Sequence, residues 1–381
     1  MKTKLSILLL VSIIILALVV TGCAPKAGPG ETPTPAPEAE TYTWNVQSTY
    51  SLGTASSNLV ADLLQEHILA ATGGRLQITF HAPDAIVPAY EGFEGMQDKL
   101  LDGAHITLAD ERGKFGYVAD PFNQYACGPT SPEMGAWLHV GDGMALQQEA
   151  LEKAGFTNVV VVEQVDMQYP EDELWCNKPI TKKEDYNGLK IRTFGYWGQV
   201  LEKAGASIVT LPGAEVYPAL ERGVIDACEL GTPEGNFAIG LQEICDYCYA
   251  PGVHSPGNVH YLMCNKDSWA ELPADIQGIV KRECLATTFE CGNILAIRDA
   301  EARQKMRDYG TKLEILPIDV QAWIVVAADQ MWAEFAAEDP WYKEVLDNQN
   351  AFLDVYRGLI AEMMPDIRGL RIYAKENGIT P

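Results

Sequence analysis

From Thr41 onward, apolar and polar residues repeat with two different periods. TYTWNVQSTY and RLQITFHA alternate every second residue, the period of a half-buried strand. Between them SSNLVADLLQEHILAAT repeats at helical spacing, which predicts a helix capped by Ser56 or Ser57 and stopped at Gly73-Gly74. EGFEGMQDKLLDGAHITLA repeats the theme as helix, Asp-Gly stop and short strand. MGAWLHVGDGMALQQEALEKAG predicts one more helix and TNVVVVEQV one more strand. GLKIRTFG, YWGQVLEKAGA, SIVTLP, AEVYPALERG and VIDACE carry the alternation on. VHYLMCNKDSWAEL reads as a strand entering a helix that extends, with an interruption near Cys291-Gly292, to about Asp308; KLEILP is a last strand before Trp- and Tyr-rich helices. Strand and helix in repeated alternation predict parallel α/β construction.

One junction carries more than architecture. In AEVYPALERGVIDACE, Val216, Ala219 and Leu220 share a helical face, Gly223 is free to adopt the left-handed conformation that stops a helix, and Val224 and Ile225 read as a buried strand. Glu229 then falls just past the carboxyl end of that strand, where open α/β sheets bind ligands. A helix stop before a core strand is also ordinary architecture, so this pattern alone does not assign Glu229 a role.

Composition adds compartment and excludes classes. Lys2 and Lys4 precede an apolar run, Leu5 to Val20, shorter than the roughly 20 residues of a spanning helix, and Val20-Thr21-Gly22-Cys23 follows. This resembles a bacterial lipoprotein leader: signal peptide over 1–22, lipidated Cys23, and a Pro-rich tether to residue 40 that cannot bury enough surface to fold. An uncleaved anchor is the alternative; either places the rest outside the cytoplasmic membrane. The body, 41–381, is long for one core and predicts two lobes. A net charge of −24 argues against nucleic acid, and any anionic ligand must meet a local cation.

Eight cysteines beyond Cys23 allow disulfides without assigning any. Cys245-Asp-Tyr-Cys248 falls in ICDYCYA, which reads as a strand whose positions three apart face opposite ways, against a redox or zinc pair. The six histidines are scattered; the nearest pair, His254 and His260 in APGVHSPGNVH, reads more readily as a polar loop with a turn at Ser255-Pro256-Gly257 than as a metal pair. Phosphate-loop, nucleophile-elbow and HExxH motifs are absent, so no catalysis is expected.

ITKKEDYNGLKIRTFGYWGQVLEKAGASIVTLPGAEVYPALERGVIDACE resembles the substrate-binding subunits of tripartite ATP-independent periplasmic (TRAP) transporters, the DctP-like family. The likeness is clear from Trp175 to Leu272, and LPGAEVY, AIGL and CYAPGVHSPG place it nearest the branch binding 2-oxo acids and lactate. The resemblance implies an α/β, two-lobed periplasmic-binding-protein-like fold with a ligand cleft between lobe I (about 41–165) and lobe II (about 166–265), and long C-terminal helices spanning both. It implies a small organic acid as ligand, membrane permease subunits as partners, and Arg192 as bidentate anchor for the ligand carboxylate. An interlobe salt bridge is the plainer role for Arg192. Glu229, Leu230 (through its carbonyl) and Ser255 would hold a sodium or calcium ion bridging to the ligand, although this branch usually has an aromatic residue at 230 and a carboxylate at 255. Asp110 and Glu111 align with first-lobe contacts. Glu171 stands where relatives carry a neutral amide, either facing the ligand or lying in a solvated acidic loop, 171–173. A homodimer stays open. So do a receptor presenting its ligand to a sensor protein and, less favoured, a lipid-anchored metal-dependent enzyme.

Overall fold

Two mixed sheets organise the residues that the structure, a computed structural model, describes: 40–50, 55–377 and 379. The leader, Cys23 and the tether up to residue 39 lie outside them. The first sheet contains β1 (Tyr42–Ser48), β2 (Leu76–His81), β3 (Gly103–Ile106), β4 (Val159–Gln168) and β10 (Asn258–Asn265), in the order β2-β1-β3-β10-β4. The second contains β5 (Leu174–Cys176), β6 (Lys190–Arg192), β7 (Ser207–Val209), β8 (Ala227–Cys228), β9 (Tyr247–Ala250) and β11 (Lys312–Ile315), in the order β11-β9-β5-β8-β6-β7.

Each sheet is covered on both faces. Val60, Leu64 and Ile68 pack on the first sheet with Ile276, Val280 and Cys284; Phe93, Trp137 and Leu151 form a separate cluster with Ala104 and Ile106. In the second, Ile191 and Ala227 pack with Val200, Leu201, Ile324 and Ala328, while Trp175, Cys228 and Cys248 pack with Val216, Leu241 and Met306. Burying a side chain of this kind stabilises by roughly 1.5–3 kcal/mol, and these clusters are where the molecule gains it. The helices Ile318–Glu338 and Pro340–Met363 pack on each other and reach both halves: the first meets Trp197–Lys203, the second Ser131–Val140.

Several sequence expectations change in detail. The sheets are mixed, because β10 runs antiparallel to β3 and β4, and β5 antiparallel to β8 and β9. The stretch 166–265 does not stay in one lobe, since β10 pairs in the first sheet. The first helix starts at Ala55, ahead of Ser56 and Ser57. The expected single helix before β4 is two, Ser131–Val140 and Gly143–Lys153. Val224 is half exposed; the strand consists of Ala227 and Cys228 alone, while Gly223 takes φ +66° as its stop role requires. Helix Ala274–Tyr309 runs unbroken through Gly292. A Cβ there would lie 2.7 Å from Met167 Cε, so the glycine serves close packing on β4 and not a break.

The chain crosses between sheets from β4 to β5 through 169–173 and returns from β9 to β10 through 251–257. The crossings touch: Glu171 N donates to Ser255 O (3.3 Å), and a Cβ on Gly252 would sit 2.3 Å from Glu171 O. Gly252→Ala should therefore cost about 1–3 kcal/mol in urea unfolding, the range for forcing atoms into a packed site. Gly278→Ala, on a helix surface whose nearest atom would be Arg282 Nη1 at 3.5 Å, should be neutral or stabilising by up to about 1 kcal/mol. Equal effects at both positions would contradict the crossing as a tight contact.

Candidate functional site

The two crossings carry the acidic and imidazole groups of the site, and the carboxyl ends of two parallel strands carry the rest. Arg192 ends β6, opposite Cys228 of β8, and Glu229 follows β8 directly, its N–H donating to Arg192 O at 3.1 Å. Glu229 and Arg192 therefore stand side by side at the carboxyl ends of adjacent inner strands of the second sheet, where such ends open to a crevice.

His254 is the centre of the arrangement. Its Nδ1 lies 2.9 Å from Glu173 Oε2, and its backbone N–H donates to the same oxygen at 3.3 Å. Nε2 lies 3.3 Å from Glu171 Oε2 and 3.3 Å from Glu229 Oε2. Trp197 stacks on the ring, centroids 5.7 Å apart, and fixes its plane. Burial alone would lower the imidazole's pKa; the surrounding carboxylates, Glu173 foremost, outweigh it and hold His254 well above its ordinary range. Burial likewise would raise Glu229, but His254 and then Arg192 keep its carboxyl below the usual value.

Arg192 is buried and already engaged. Nε donates to Leu211 O (3.1 Å), Nη1 donates to Glu229 O (2.7 Å), and Nη1 lies 3.7 Å from Glu229 Oε1. Phe194 N donates to that same Oε1 at 3.0 Å.

A cavity of about 50 Å³ opens beside this cluster. Glu229, His254 and Ser255 line it from the strand end and crossing, Phe194 and Trp197 from the segment after β6, and Arg112, Asp120 and Gln124 from the first half of the chain. Arg112 Nε donates to Asp120 Oδ1 (3.1 Å), and its guanidinium lies over the Phe194 ring at 5.2 Å. Burial pushes Asp120 up to about 6 in spite of Arg112.

The chain matches bacterial extracellular solute-binding protein family 7, DctP, over residues 49–339. It belongs to that family. A curated relative, the monocarboxylate 2-oxoacid-binding periplasmic protein of Nostoc sp., is 27% identical over 317 residues, covering 81% of this chain and 83% of the relative. Among solved structures, a TRAP periplasmic solute-binding protein of Colwellia psychrerythraea with bound calcium and pyruvate is similar at 25% identity and TM-score 0.79, covering 88% of this chain and 100% of that one. Another, of Pseudoalteromonas atlantica with bound sodium and pyruvate, is similar at 25% identity and TM-score 0.77, covering 85% and 97%. Members of the family are extracytoplasmic solute receptors, and the two-lobed α/β fold with its helical C-terminal region is theirs.

Within this solute-binding protein, the sequence-derived candidates separate. Arg192, Glu229, Glu171 and Ser255 gather at the crossing; Ser255 Oγ donates to Gln124 Oε1 at 2.6 Å, and Leu230 continues the chain from Glu229. The acidic loop 171–173 is not solvated: Asp172 and Glu173 are each 1% exposed, Asp172 turned to Arg303 (2.6 Å) and Glu173 to His254. Asp110 and Glu111 do not line the cavity. Asp110 accepts from Tyr50 Oη (2.7 Å) and Thr107 N (2.8 Å), and Glu111 accepts from Gly92 N (2.7 Å) and pairs with Lys114. Their neighbour Arg112 is the residue that reaches it. His254 and His260 are not a pair, since His260 binds Asp166 on β4 at 3.0 Å. All eight cysteines of the described residues are free.

Proposed function

We propose that this protein is the lipid-anchored, extracytoplasmic receptor of a TRAP transporter, capturing a small organic acid, a 2-oxo or 2-hydroxy monocarboxylate, for a membrane permease. The observation that carries the reading is the meeting of buried Arg192 and Glu229 at the carboxyl ends of parallel strands, where Glu229 lines the cavity and Arg192 stands directly behind it. In a chain of net charge −24 a carboxylate needs a fixed, sheltered cation, and a guanidinium matches a carboxylate with two parallel hydrogen bonds. The pyruvate and cation bound in the Colwellia and Pseudoalteromonas proteins, and the 2-oxoacid binding of the Nostoc relative, support the ligand class and the presence of a cation; Glu229, with Leu230 and Ser255, is the place we propose for that ion. Residues from both halves of the chain line the cavity of about 50 Å³, so capture of an acid there would work by the two halves parting and closing again.

Two experiments test this. Calorimetry with pyruvate and lactate should show Arg192→Ala losing on the order of 2–5 kcal/mol of binding, with Arg192→Lys recovering only part because the planar fork is gone. Near wild-type affinity in a folded Arg192→Ala protein would overturn the carboxylate anchor. For the anchor to the membrane, Val20-Thr21-Gly22-Cys23 predicts that Cys23→Ser moves the protein from the membrane pellet to the soluble fraction, because stable attachment takes two acyl chains. Pelleting unchanged from wild type would count against lipidation.

A further inference from the structure

The geometry points to a divalent transition-metal site of the zinc class, formed by His254 Nε2, Glu171 and Glu229, whose open position takes the oxygens of the bound acid. The inference rests on the receptor reading above and departs from the sodium and calcium of the similar structures, because an imidazole stands in this donor set. The potential ligand atoms of these three residues all lie within 4.8 Å of one another. Nε2 stands 3.3 Å from one carboxylate oxygen of each glutamate, too long for a strong charge-assisted hydrogen bond and the spacing of atoms sharing one ion. In a tetrahedral site with bonds of about 2.0–2.1 Å, neighbouring ligand atoms lie about 3.3–3.4 Å apart.

Spacing admits an ion, and the donor set selects its class. Sodium and calcium take oxygen ligands, whereas an imidazole nitrogen with carboxylates suits zinc, cobalt or nickel. The surroundings complete the arrangement. Glu173 Oε2 sits 2.9 Å from Nδ1, the carboxylate partner that fixes a metal-binding histidine's tautomer and leaves Nε2 to face the ion. Trp197 holds the ring plane. The other oxygen of Glu173, Oε1, is buried without a hydrogen-bond partner among the described residues, an unsatisfied polar atom within the cluster. Glu229 and His254 both line the cavity, so the remaining coordination position opens where the acid enters.

The test uses metal ions alone on the chelator-stripped protein. Calorimetry should show one zinc per chain, bound at least 100-fold more tightly than calcium. His254→Gln should weaken zinc at least 100-fold, and Glu173→Gln, which touches no ion, by about 10- to 100-fold. In the wild-type protein, cobalt(II) should show the intense visible bands of a tetrahedral site, a readout that needs no variant to fold. Calcium binding as tight as zinc, an octahedral cobalt spectrum, or zinc affinity unchanged in folded His254→Gln would each overturn the assignment. Pyruvate binding is then measured with and without zinc. An acid that binds equally well without any metal leaves the receptor reading standing and sinks the metal site alone.

Discussion

Three carboxylates converging on one buried imidazole, at the place where the chain twice changes sheets, is the constraint around which the rest is arranged. Taking such charges out of water costs several kcal/mol per ion, which close pairing and hydrogen bonds must offset. Glu173 engages both the ring and the backbone N–H of His254, Glu229 brings the carboxyl end of β8 into the same cluster, and Gly252 lets the crossings approach closely enough to do it. The cluster is polar where an apolar contact would hold the crossings more cheaply. That cost makes sense when the groups serve a ligand.

Arg192 lies on the far side of Glu229 from His254 in this network, held by the carbonyls of Leu211 and Glu229. Those bonds fix the guanidinium's orientation, so the ligand role proposed for it would cost less freedom on binding. Arg112 and Asp120 contribute from the first half of the chain. Groups from both halves thus meet around one small cavity, so a ligand held there, as proposed, would contact both.

Much of the fold was legible because its signals are local. Period-two runs such as RLQITFHA and the Gly223 stop need nothing beyond their own stretch. Strand direction was not legible, since antiparallel pairing of β10 depends on a chain reversal two hundred residues after β1. Gly292 misled for the same reason: its cause is Met167 on another element. In the site, Arg192 and Glu229 announced themselves at strand ends within a recognisable segment. His254 did not, because a histidine in a Pro-Gly loop carries no pattern, and its meaning comes from Glu171 and Glu173, some eighty residues away. Asp110 and Glu111 pointed to the right stretch, but Arg112, the neighbouring residue, turns toward the cavity.

The central claim is that a small acid binds at the crossing of the two connectors, beside Arg192, Glu229 and His254. A crystal structure of the protein grown with pyruvate tests it most directly. The account predicts ligand density in the cavity lined by Arg112, Trp197, Glu229 and His254, with the carboxylate facing a guanidinium and an oxygen toward the Glu229–His254 edge. Density instead in the larger cleft among the C-terminal helices, lined by Asp329, Trp332 and Lys343, would contradict it.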